Sequence, residues 1–282
     1  MATVGLVGLG LLGHALASRL RAAGHAVIGF DLAPERRDAL NALGGVAAAD
    51  AREVARRSEA VCTVLPSLAA VEEVITALDN APALIQMSTI SPELTEHLAR
   101  LTADRDQAFL DCPVSGTASM VARGDGIIFA GGERGTYDRW RPVLESMLPR
   151  AVYVGQAGQA MTLKLVANLL VGVHSAVAAE ALAMARRAGI DMEIAFDALA
   201  SGAGASRMLE VRGPMMLADT FPPQMKLDLF MKDLHLIQAA ARRIGTPVPL
   251  TDVAERLFAS VNADGHGGED LAVVVKALEE RC

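Results

Sequence analysis

The chain has few of the features that mark disulfide-rich, metal-binding or nucleic-acid-binding proteins. Its three cysteines, Cys62, Cys112 and Cys282, are odd in number and lack paired spacing, which argues against a disulfide framework or a zinc site. No cluster of histidine, cysteine and aspartate suggests another metal site, so none is predicted. The formal net charge of −7 includes no basic stripe, which argues against nucleic acid as a partner.

The sequence pattern also lacks a convincing membrane segment, although 52% of the residues are hydrophobic and the mean hydropathy is +0.32. Much of this hydrophobicity comes from alanine, which favours helices. The most apolar stretch, residues 165–179, is diluted by alanine and glycine and interrupted by Asn168 and His174, whereas a transmembrane helix needs about 20 mostly apolar residues. The N-terminal apolar run lacks the basic region of a signal peptide. These features predict a soluble cytoplasmic enzyme with no membrane partner.

The N-terminal region contains every element of a dinucleotide-binding unit. A buried strand is predicted at residues 3–7, followed by the turn G-L-G-L-L-G at residues 8–13 and a helix over residues 11–23. A second strand over residues 25–30 ends at Asp31. A glycine motif of this kind is weak evidence alone, but here the strand, the helix and the acid all stand at the expected distances.

Each glycine of the turn has a separate physical role. Gly8 permits the tight turn, Gly10 lets the backbone approach a pyrophosphate, and Gly13 allows the helix and strand to pack closely. The N–H groups at the helix N-terminus would then face the phosphates. The cofactor-binding residues predicted in this turn are Gly8, Leu9, Gly10, Leu11, Leu12 and Gly13.

Asp31 bears on the choice between NAD and NADP. Its carboxylate would accept hydrogen bonds from a ribose hydroxyl and repel a 2′-phosphate, which favours NAD. Arg36 and Arg37 follow closely and could serve a phosphate, although both lie in a helical pattern where a solvated face is the simpler explanation. NAD is therefore the predicted cofactor, and NADP stays possible.

Strands and helices continue to alternate up to about residue 158. Further short apolar runs occupy residues 60–65, 83–87, 109–114, 126–130 and 151–154. This alternation predicts a Rossmann-type doubly wound parallel sheet with ligands at the C-terminal ends of its strands. Only helices are predicted afterwards, at residues 160–188, 192–200, 206–218, 226–244, 251–262 and 271–280. The predicted fold is therefore α/β, with a cofactor domain at residues 1–158, an all-α substrate and oligomerisation domain at residues 159–282, and a long interdomain helix.

Two polar residues, Lys164 and Asn168, interrupt the first of these helices. They are four residues apart, so they project from the same face one turn from each other. A lysine in an apolar helix must snorkel to solvent, find a partner or face a polar cavity. The chain has only four lysines, which makes a generic surface role less attractive.

Four ordered motifs together resemble those of one enzyme family. G-L-G-L-L-G at residues 8–13 is similar to G-L-G-x-M-G, and D-C-P-V-S-G-T at residues 111–117 is similar to D-x-P-V-S-G-G. The segment from residue 155 to 168 resembles a glycine-rich approach to a K-x-x-N-N helix, and residues 231–234 resemble a late K-D-L segment. This is the pattern of the β-hydroxyacid dehydrogenase family, which includes 3-hydroxyisobutyrate dehydrogenase and tartronate semialdehyde reductase.

The resemblance implies a role for each matching residue. Lys164 would be the catalytic acid/base, with Asn168 beside it in the substrate site. The implied substrate-binding residues are Ser115, Gly116 and Thr117, and the further implied cofactor-binding residues are Leu65, Pro66, Thr89 and Lys232. Lys232 and its neighbour Asp233 would equally suit a solvated helix face. Two departures from the family pattern, Ala167 and Thr117, bear on the substrate rather than on the reaction.

The predicted activity is hydride transfer between NAD and a small 3-hydroxy acid, giving a semialdehyde or keto acid. Burial would have to lower the pKa of Lys164 from about 10.4 for it to take the hydroxyl proton. Alternatives are an NADPH-dependent reductase of glyoxylate, small semialdehydes or imines, and a non-catalytic nucleotide-binding protein. Imine reductases usually lack the catalytic lysine, so Lys164 argues against them. The apolar, methionine-rich helical half predicts a homodimer or homotetramer.

Overall fold

The computed structural model describes residues 1–279, which form two compact units. The first unit comprises Met1–Lys164 and the second begins at Leu165. Cys282 and the last position of the helix predicted at 271–280 lie outside the described residues.

A twisted sheet organises the first unit. Its strands follow the order β3-β2-β1-β4-β5-β6-β8-β7, and β9 pairs with β8. Their bounds are β1 Thr3–Val7, β2 Ala26–Phe30, β3 Val46–Ala47, β4 Ala60–Thr63, β5 Ala83–Gln86, β6 Ala108–Asp111, β7 Val114–Ser115, β8 Ile127–Gly132 and β9 Ala151–Gly155.

The six strands from β3 to β6 are parallel neighbours in the order 3-2-1-4-5-6, which is the classical dinucleotide-binding arrangement. The predicted parallel Rossmann sheet is therefore confirmed for this part. β8 differs, because it runs antiparallel to β6 and β7. If β8 were parallel to β6, the chain after β6 would first have to return to the other edge of the sheet. That return would cover the length of a strand, roughly 20 Å for the six residues of β8. The only helix between β6 and β8 has five residues and spans roughly 8 Å, so the chain turns back instead.

Seven helices flank the sheet of the first unit: α1 Leu11–Ala22, α2 Pro34–Ala42, α3 Ala51–Arg57, α4 Leu68–Ala77, α5 Pro92–Ala103, α6 Ala118–Ala122 and α7 Arg134–Met147. Successive strand residues point to opposite faces, so the strands supply two separate cores. Leu6 and Cys62 belong to the core that includes α1 and α7, whereas Val7 and Val61 belong to the core that includes α3, α4 and α5. Covering both faces leaves the strand ends as the places where ligands can approach.

The second unit is helical, which confirms that prediction for the described residues. α8 Gln159–Arg187 begins in the first unit and continues into the second. It is followed by α9 Met192–Ser201, α10 Arg207–Ala218, α11 Leu227–Arg243, α12 Pro249–Val261, a π-helical turn Asn262–His266, a 3₁₀ helix Leu271–Val275 and α13 Lys276–Glu279. The helix predicted at 271–280 is thus mostly 3₁₀, since its run of three valines is β-branched and fits an α-helix poorly.

The sequence analysis found no segment suited to span a membrane, and α8 corrects that expectation. Its length and composition alone would allow it to span a bilayer, and it is the one helix among residues 1–279 that meets this criterion. Just under half of its most apolar stretch is buried inside the protein, and core helices of soluble proteins meet the same criterion. On α8, Gly172 leaves room for α11: a Cβ there would lie 3.2 Å from both Phe230 and Leu234.

Candidate active site

The glycine turn between β1 and α1 is fixed by sterics. Gly8 has a φ of +96°, and a Cβ there would lie 2.1 Å from the carbonyl oxygen of Val64. A Cβ at Gly13 would lie 2.1 Å from the carbonyl oxygen of Gly8. Neither position can hold another residue without moving backbone, as the sequence predicted for a tight turn packed against a helix.

The start of α1 fits a phosphate group. A Cβ at Gly10 would meet only the Nη1 atom of Arg36, at 3.8 Å, so the space in front of this residue is open. No side chain caps the α1 N-terminus, whereas Asp50, Ser67 and Ser91 cap the helices α3, α4 and α5. Uncapped N–H groups at the positive end of a helix dipole suit the pyrophosphate of a dinucleotide.

The three leucines of the turn differ in exposure. The Leu9 side chain is buried in the core, and its N–H donates to the carboxylate of Asp31 at 2.8 Å. Leu11 is largely exposed and Leu12 is half-buried. Any contribution of Leu9 to cofactor binding would therefore come from its backbone.

Asp31 lies at the end of β2 and is almost fully buried. Its carboxylate accepts the N–H of Leu9 and, at 3.0 Å, the N–H of Ala33, and the Arg36 guanidinium lies 3.3 Å away. Burial raises the pKa of Asp31, but the N–H groups of Ala33 and Leu9 and the charge of Arg36 outweigh it, so the pKa lies below the usual value. Asp31 is therefore an anion held beside the glycine turn.

Ser88 joins the ends of two strands beside this turn. Its hydroxyl accepts the N–H of Leu65 at 2.8 Å and donates to the carbonyl of Thr63 at 3.4 Å. The buried Gln86 side chain holds the Ser88 backbone on both sides, with its Nε2 donating to the Ser88 carbonyl at 2.9 Å. This fixes the backbone at Leu65, whereas the next residue, Pro66, is exposed. Thr89, which directly follows Ser88, is half-buried.

The predicted substrate loop follows β6. Ser115 pairs with Ile127 in the sheet, and Gly116 has a φ of +153°. The Thr117 hydroxyl accepts the N–H of Met120 at 3.3 Å and lies 2.9 Å from the Ser119 hydroxyl. It therefore acts as the N-cap of α6.

Asp111, which the sequence analysis did not select, is the most deeply buried acid near this loop. Its Oδ2 atom accepts the N–H groups of Gly158, at 3.1 Å, and Met161, at 2.9 Å. Burial raises the pKa of Asp111 to about 7, against the lowering effect of these two N–H groups. Burial also raises the pKa of Cys112 well above its usual value, so this thiol stays protonated and serves packing.

Lys164 and Asn168 lie one turn apart on α8, in the first and second units respectively. Lys164 is 8% exposed although it is a lysine, and Asn168 is 3% exposed. Neither residue simply extends into solvent. The burial of an ammonium-bearing side chain is costly, which marks this turn of the helix as a functional candidate.

Asn168 is held by an acid from α11. Its Nδ2 atom donates to Asp233 Oδ2 at 2.8 Å, and Lys232 Nζ lies 2.7 Å from Asp233 Oδ1. Asp233 is 2% exposed, so the idea of a solvated face is wrong for this residue. Its burial could have been found from the sequence, because Phe230, Leu234 and Ile237 flank it at helical spacing and are all buried.

Other features of the described residues do not change this picture. No group of three or more histidine, cysteine or acidic residues within residues 1–279 could hold a metal ion. A cleft of about 530 Å³ in the first unit is lined by residues around the start of β6, including Phe109 and Glu133. It contains none of the predicted site residues.

Comparison with known proteins identifies the family. The sequence-family model for the NAD-binding domain of 6-phosphogluconate dehydrogenase matches residues 3–155. The family model for NAD binding in NADP-dependent 3-hydroxyisobutyrate dehydrogenase matches residues 158–278. The chain is 34% identical to L-threonate dehydrogenase of Cupriavidus necator, over 97% of this chain and 95% of that protein. It is 32% identical to 2-hydroxy-3-oxopropionate reductase of Escherichia coli K12, over 98% and 97% of the two chains.

A solved structure agrees with these relatives. The 3-hydroxyisobutyrate dehydrogenase of Mycobacterium tuberculosis, solved with L-serine, is 30% identical over 100% of both chains and superposes with a TM-score of 0.89. The matches cover both units, and the glycine turn and Asp31 carry the features that a dinucleotide requires. The chain therefore belongs to the β-hydroxyacid dehydrogenase family of NAD(P)-dependent oxidoreductases.

Proposed function

We propose that this protein transfers a hydride between NAD and a small 3-hydroxy acid, giving a semialdehyde or keto acid, with Lys164 as general acid/base. The observation that carries this proposal is the burial of Lys164 within an apolar helix, one turn before the buried Asn168. A buried amine of this kind can exchange a proton with a substrate oxygen and needs no metal.

The proton and the hydride take separate routes. NAD(P), when bound, would accept the hydride from the carbinol carbon in oxidation and supply it to the carbonyl carbon in reduction. In oxidation, Lys164 Nζ accepts the hydroxyl proton; in reduction, the same atom as an ammonium polarises the carbonyl and returns the proton. Asp233 fixes the amide orientation of Asn168, so that Asn168 presents its oxygen rather than its Nδ2 atom for other contacts.

Other residues bind the substrate and the cofactor in this proposal. Ser115, Gly116 and Thr117 hold the substrate carboxylate through N–H groups and the Ser115 hydroxyl, since the Thr117 hydroxyl already caps α6. Gly8, Gly10 and Gly13 shape the phosphate turn and Asp31 receives the ribose. The remaining proposed cofactor contacts are Leu9, Leu11, Leu12, Leu65, Pro66, Thr89 and Lys232.

The proposal extends to organisation and location. Residues 1–158 would form the cofactor domain and residues 159–282 the substrate and oligomerisation domain. The family matches at residues 3–155 and 158–278 support the position of this boundary. The protein would work in the cytoplasm as a homodimer or homotetramer. Exposed apolar side chains along α8 support self-association.

A second candidate is an NADPH-dependent reductase of small semialdehydes on the same scaffold. Two observations favour it: a relative named 2-hydroxy-3-oxopropionate reductase, and the position of Arg36 beside Asp31. This candidate differs in cofactor and in working direction rather than in the role of Lys164.

The first test measures the absorbance of reduced nicotinamide with a panel that contains 3-hydroxyisobutyrate, other 3-hydroxy acids and L-threonate. Each substrate is assayed with NAD and with NADP. We expect turnover of a 3-hydroxy acid with NAD. A clear preference for NADP, with faster reduction of a semialdehyde, would select the second candidate. Silence with every pair, in protein shown to bind NAD, would contradict both.

Variants of Lys164 test its role. We expect Lys164→Ala to lower kcat by about 100- to 10,000-fold while the Kd for NAD changes little, because a general acid/base contributes on this scale. Lys164→Arg keeps the charge but cannot release a proton, so it should be equally impaired. Lys226→Ala, which removes another of the four lysines, is the matched control. An active Lys164→Arg variant would show that only positive charge is needed there.

A further inference from the structure

The side chain of Asp111 caps the N-terminus of α8, although Asp111 lies far from this helix in the sequence. It is the last residue of β6, and its carboxylate reaches the N–H groups of Gly158 and Met161, which lie 47 and 50 residues later. Asp111 is 0% exposed. All three residues belong to the first unit.

α8 needs such a partner because the chain before it offers none. Gly158 directly precedes the helix and has no side chain to act as a cap, and its φ of +92° suits glycine. Met161 is the third helical residue, where the N–H group normally pairs with a cap side chain. Asp111 therefore replaces the missing local cap.

The same residue also leads into the substrate loop. Only three residues separate Asp111 from Ser115, and the two strands β6 and β7 on either side of this link both pair with β8. On the other side, Lys164 follows Met161 by three residues, less than one turn. Asp111 thus links the start of the proposed carboxylate-binding loop to the turn that precedes the proposed acid/base.

We propose that Asp111 is a positioning residue for the hydroxy-acid reaction, because it fixes the first turn of α8, and with it Lys164, relative to the loop that begins at Ser115. This inference rests on the proposed role of Lys164. It assigns Asp111 no contact with the substrate or the cofactor.

Asp111 is a costly choice for a cap, which supports a role beyond simple helix capping. Its Oδ1 atom is buried and has no hydrogen-bond partner within residues 1–279. An unpaired buried polar oxygen is unfavourable, and an exposed serine or aspartate caps other helices of this unit without that cost. In return, the single Oδ2 atom accepts two N–H groups at the start of the long helix α8.

The test compares three substitutions of Asp111. Asp111→Asn keeps an acceptor in place, Asp111→Leu keeps the shape without an acceptor, and Asp111→Glu keeps the charge but moves the carboxylate by one methylene. Gln107→Ala is the matched control, because Gln107 is buried just before β6 and donates to the carbonyls of Leu78 and Ala81. It should lower stability without touching α8.

A positioning role predicts a specific kinetic pattern. We expect Asp111→Leu and Asp111→Glu to lower kcat by about 10- to 100-fold, since a displacement on the order of 1 Å has such an effect, with the KM for the cofactor nearly unchanged. Asp111→Asn should keep kcat within about threefold of the wild-type value, because the amide oxygen still accepts hydrogen bonds. Gln107→Ala should leave kcat unchanged. If Asp111→Leu fails to fold, Asp111→Glu decides: a kcat within twofold of wild type would overturn the proposal.

Hydrogen exchange gives a readout that needs no substrate. The amides of residues 158–161 should exchange faster in Asp111→Leu than in wild type or Gln107→Ala. Unchanged exchange there would overturn the inference even if the enzyme is active. Wild-type protein without turnover would instead reject the proposed function, and exchange would then decide whether Asp111 holds this turn.

Discussion

Asp31 and Arg36 form an ion pair, and we propose that the balance between their charges sets the preference between NAD and NADP. The two carboxylate oxygens of Asp31 accept the N–H groups of Leu9 and Ala33, and Arg36 Nη1 lies 3.3 and 3.5 Å from the same oxygens, so a ribose hydroxyl would share or replace the Arg36 contact. Arg36 is half-exposed and lies beside both Asp31 and Gly10. Its charge reduces the repulsion that Asp31 alone would exert on a 2′-phosphate.

Removing Arg36 should therefore harm the use of NADP more than the use of NAD. We expect Arg36→Ala to lower kcat/KM for NADP by about tenfold or more, since a charge-assisted bond to phosphate contributes about 1.5 to 3 kcal/mol. The value for NAD should stay within about threefold. Steady-state kinetics with both cofactors give the ratio, and Arg52→Ala, on the exposed side of α3, is the control for net charge. Equal losses with both cofactors would mean that Arg36 only supports Asp31.

Asp111, which caps the first turn of α8, should make the free energy of unfolding depend on pH. Its pKa is about 7 in the folded protein, against about 3.9 in an unfolded chain. Between these values the folded state binds the proton and the unfolded state does not, so stability falls as pH rises from about 4 to about 7. The full loss is about 4 kcal/mol, and it persists above pH 7. The neighbouring thiols Cys62 and Cys112 have raised pKa values and stay neutral in this window.

Asp111→Asn should remove this loss, because the amide still accepts hydrogen bonds but carries no buried charge. We expect its free energy of unfolding, from urea titrations at about pH 5 and about pH 7.5, to change less between the two than that of wild type. Asp50→Asn, at the exposed cap of α3, is the control and should follow wild type. A wild-type stability that rises across this range would contradict the assignment of a raised pKa.

The same elements show what the sequence could and could not predict. The unit from β1 to Asp31 was predictable because its strand, glycine turn, helix and acid are neighbours in sequence, and each has a local signature. The direction of β8 was not, since it depends on how far α6 can carry the chain back. The sequence analysis missed Asp111 because its partners lie 47 and 50 residues away. The one available signal was Gly158, which directly precedes α8 and has no side chain to cap it, so that a cap from elsewhere in the chain was to be expected. The roles of Lys164 and Asn168 stay predictions that rest on motif and burial.

At the scale of the whole molecule, α8 leaves an apolar stripe exposed. Val166, Leu170, Val177 and Met184 are each 48–77% exposed and are separated by four or seven residues, which places them on one side of the helix. All four belong to the second unit. A soluble monomer rarely exposes a contiguous apolar stripe, so a second copy of the chain is the proposed occupant of this surface.

A charge within this stripe should separate the subunits. In a two-fold symmetric interface one substitution appears on both sides, so Val177→Glu places two like charges in an apolar contact. We expect light scattering to give a dimer or tetramer for the wild-type protein and the mass of a single chain for Val177→Glu. Leu250→Glu, an equally apolar and exposed position on α12, is the control and should keep the wild-type mass. A monomeric wild-type protein would contradict self-association through this stripe. Binding of lipid vesicles through α8 would assign the stripe to a membrane surface instead.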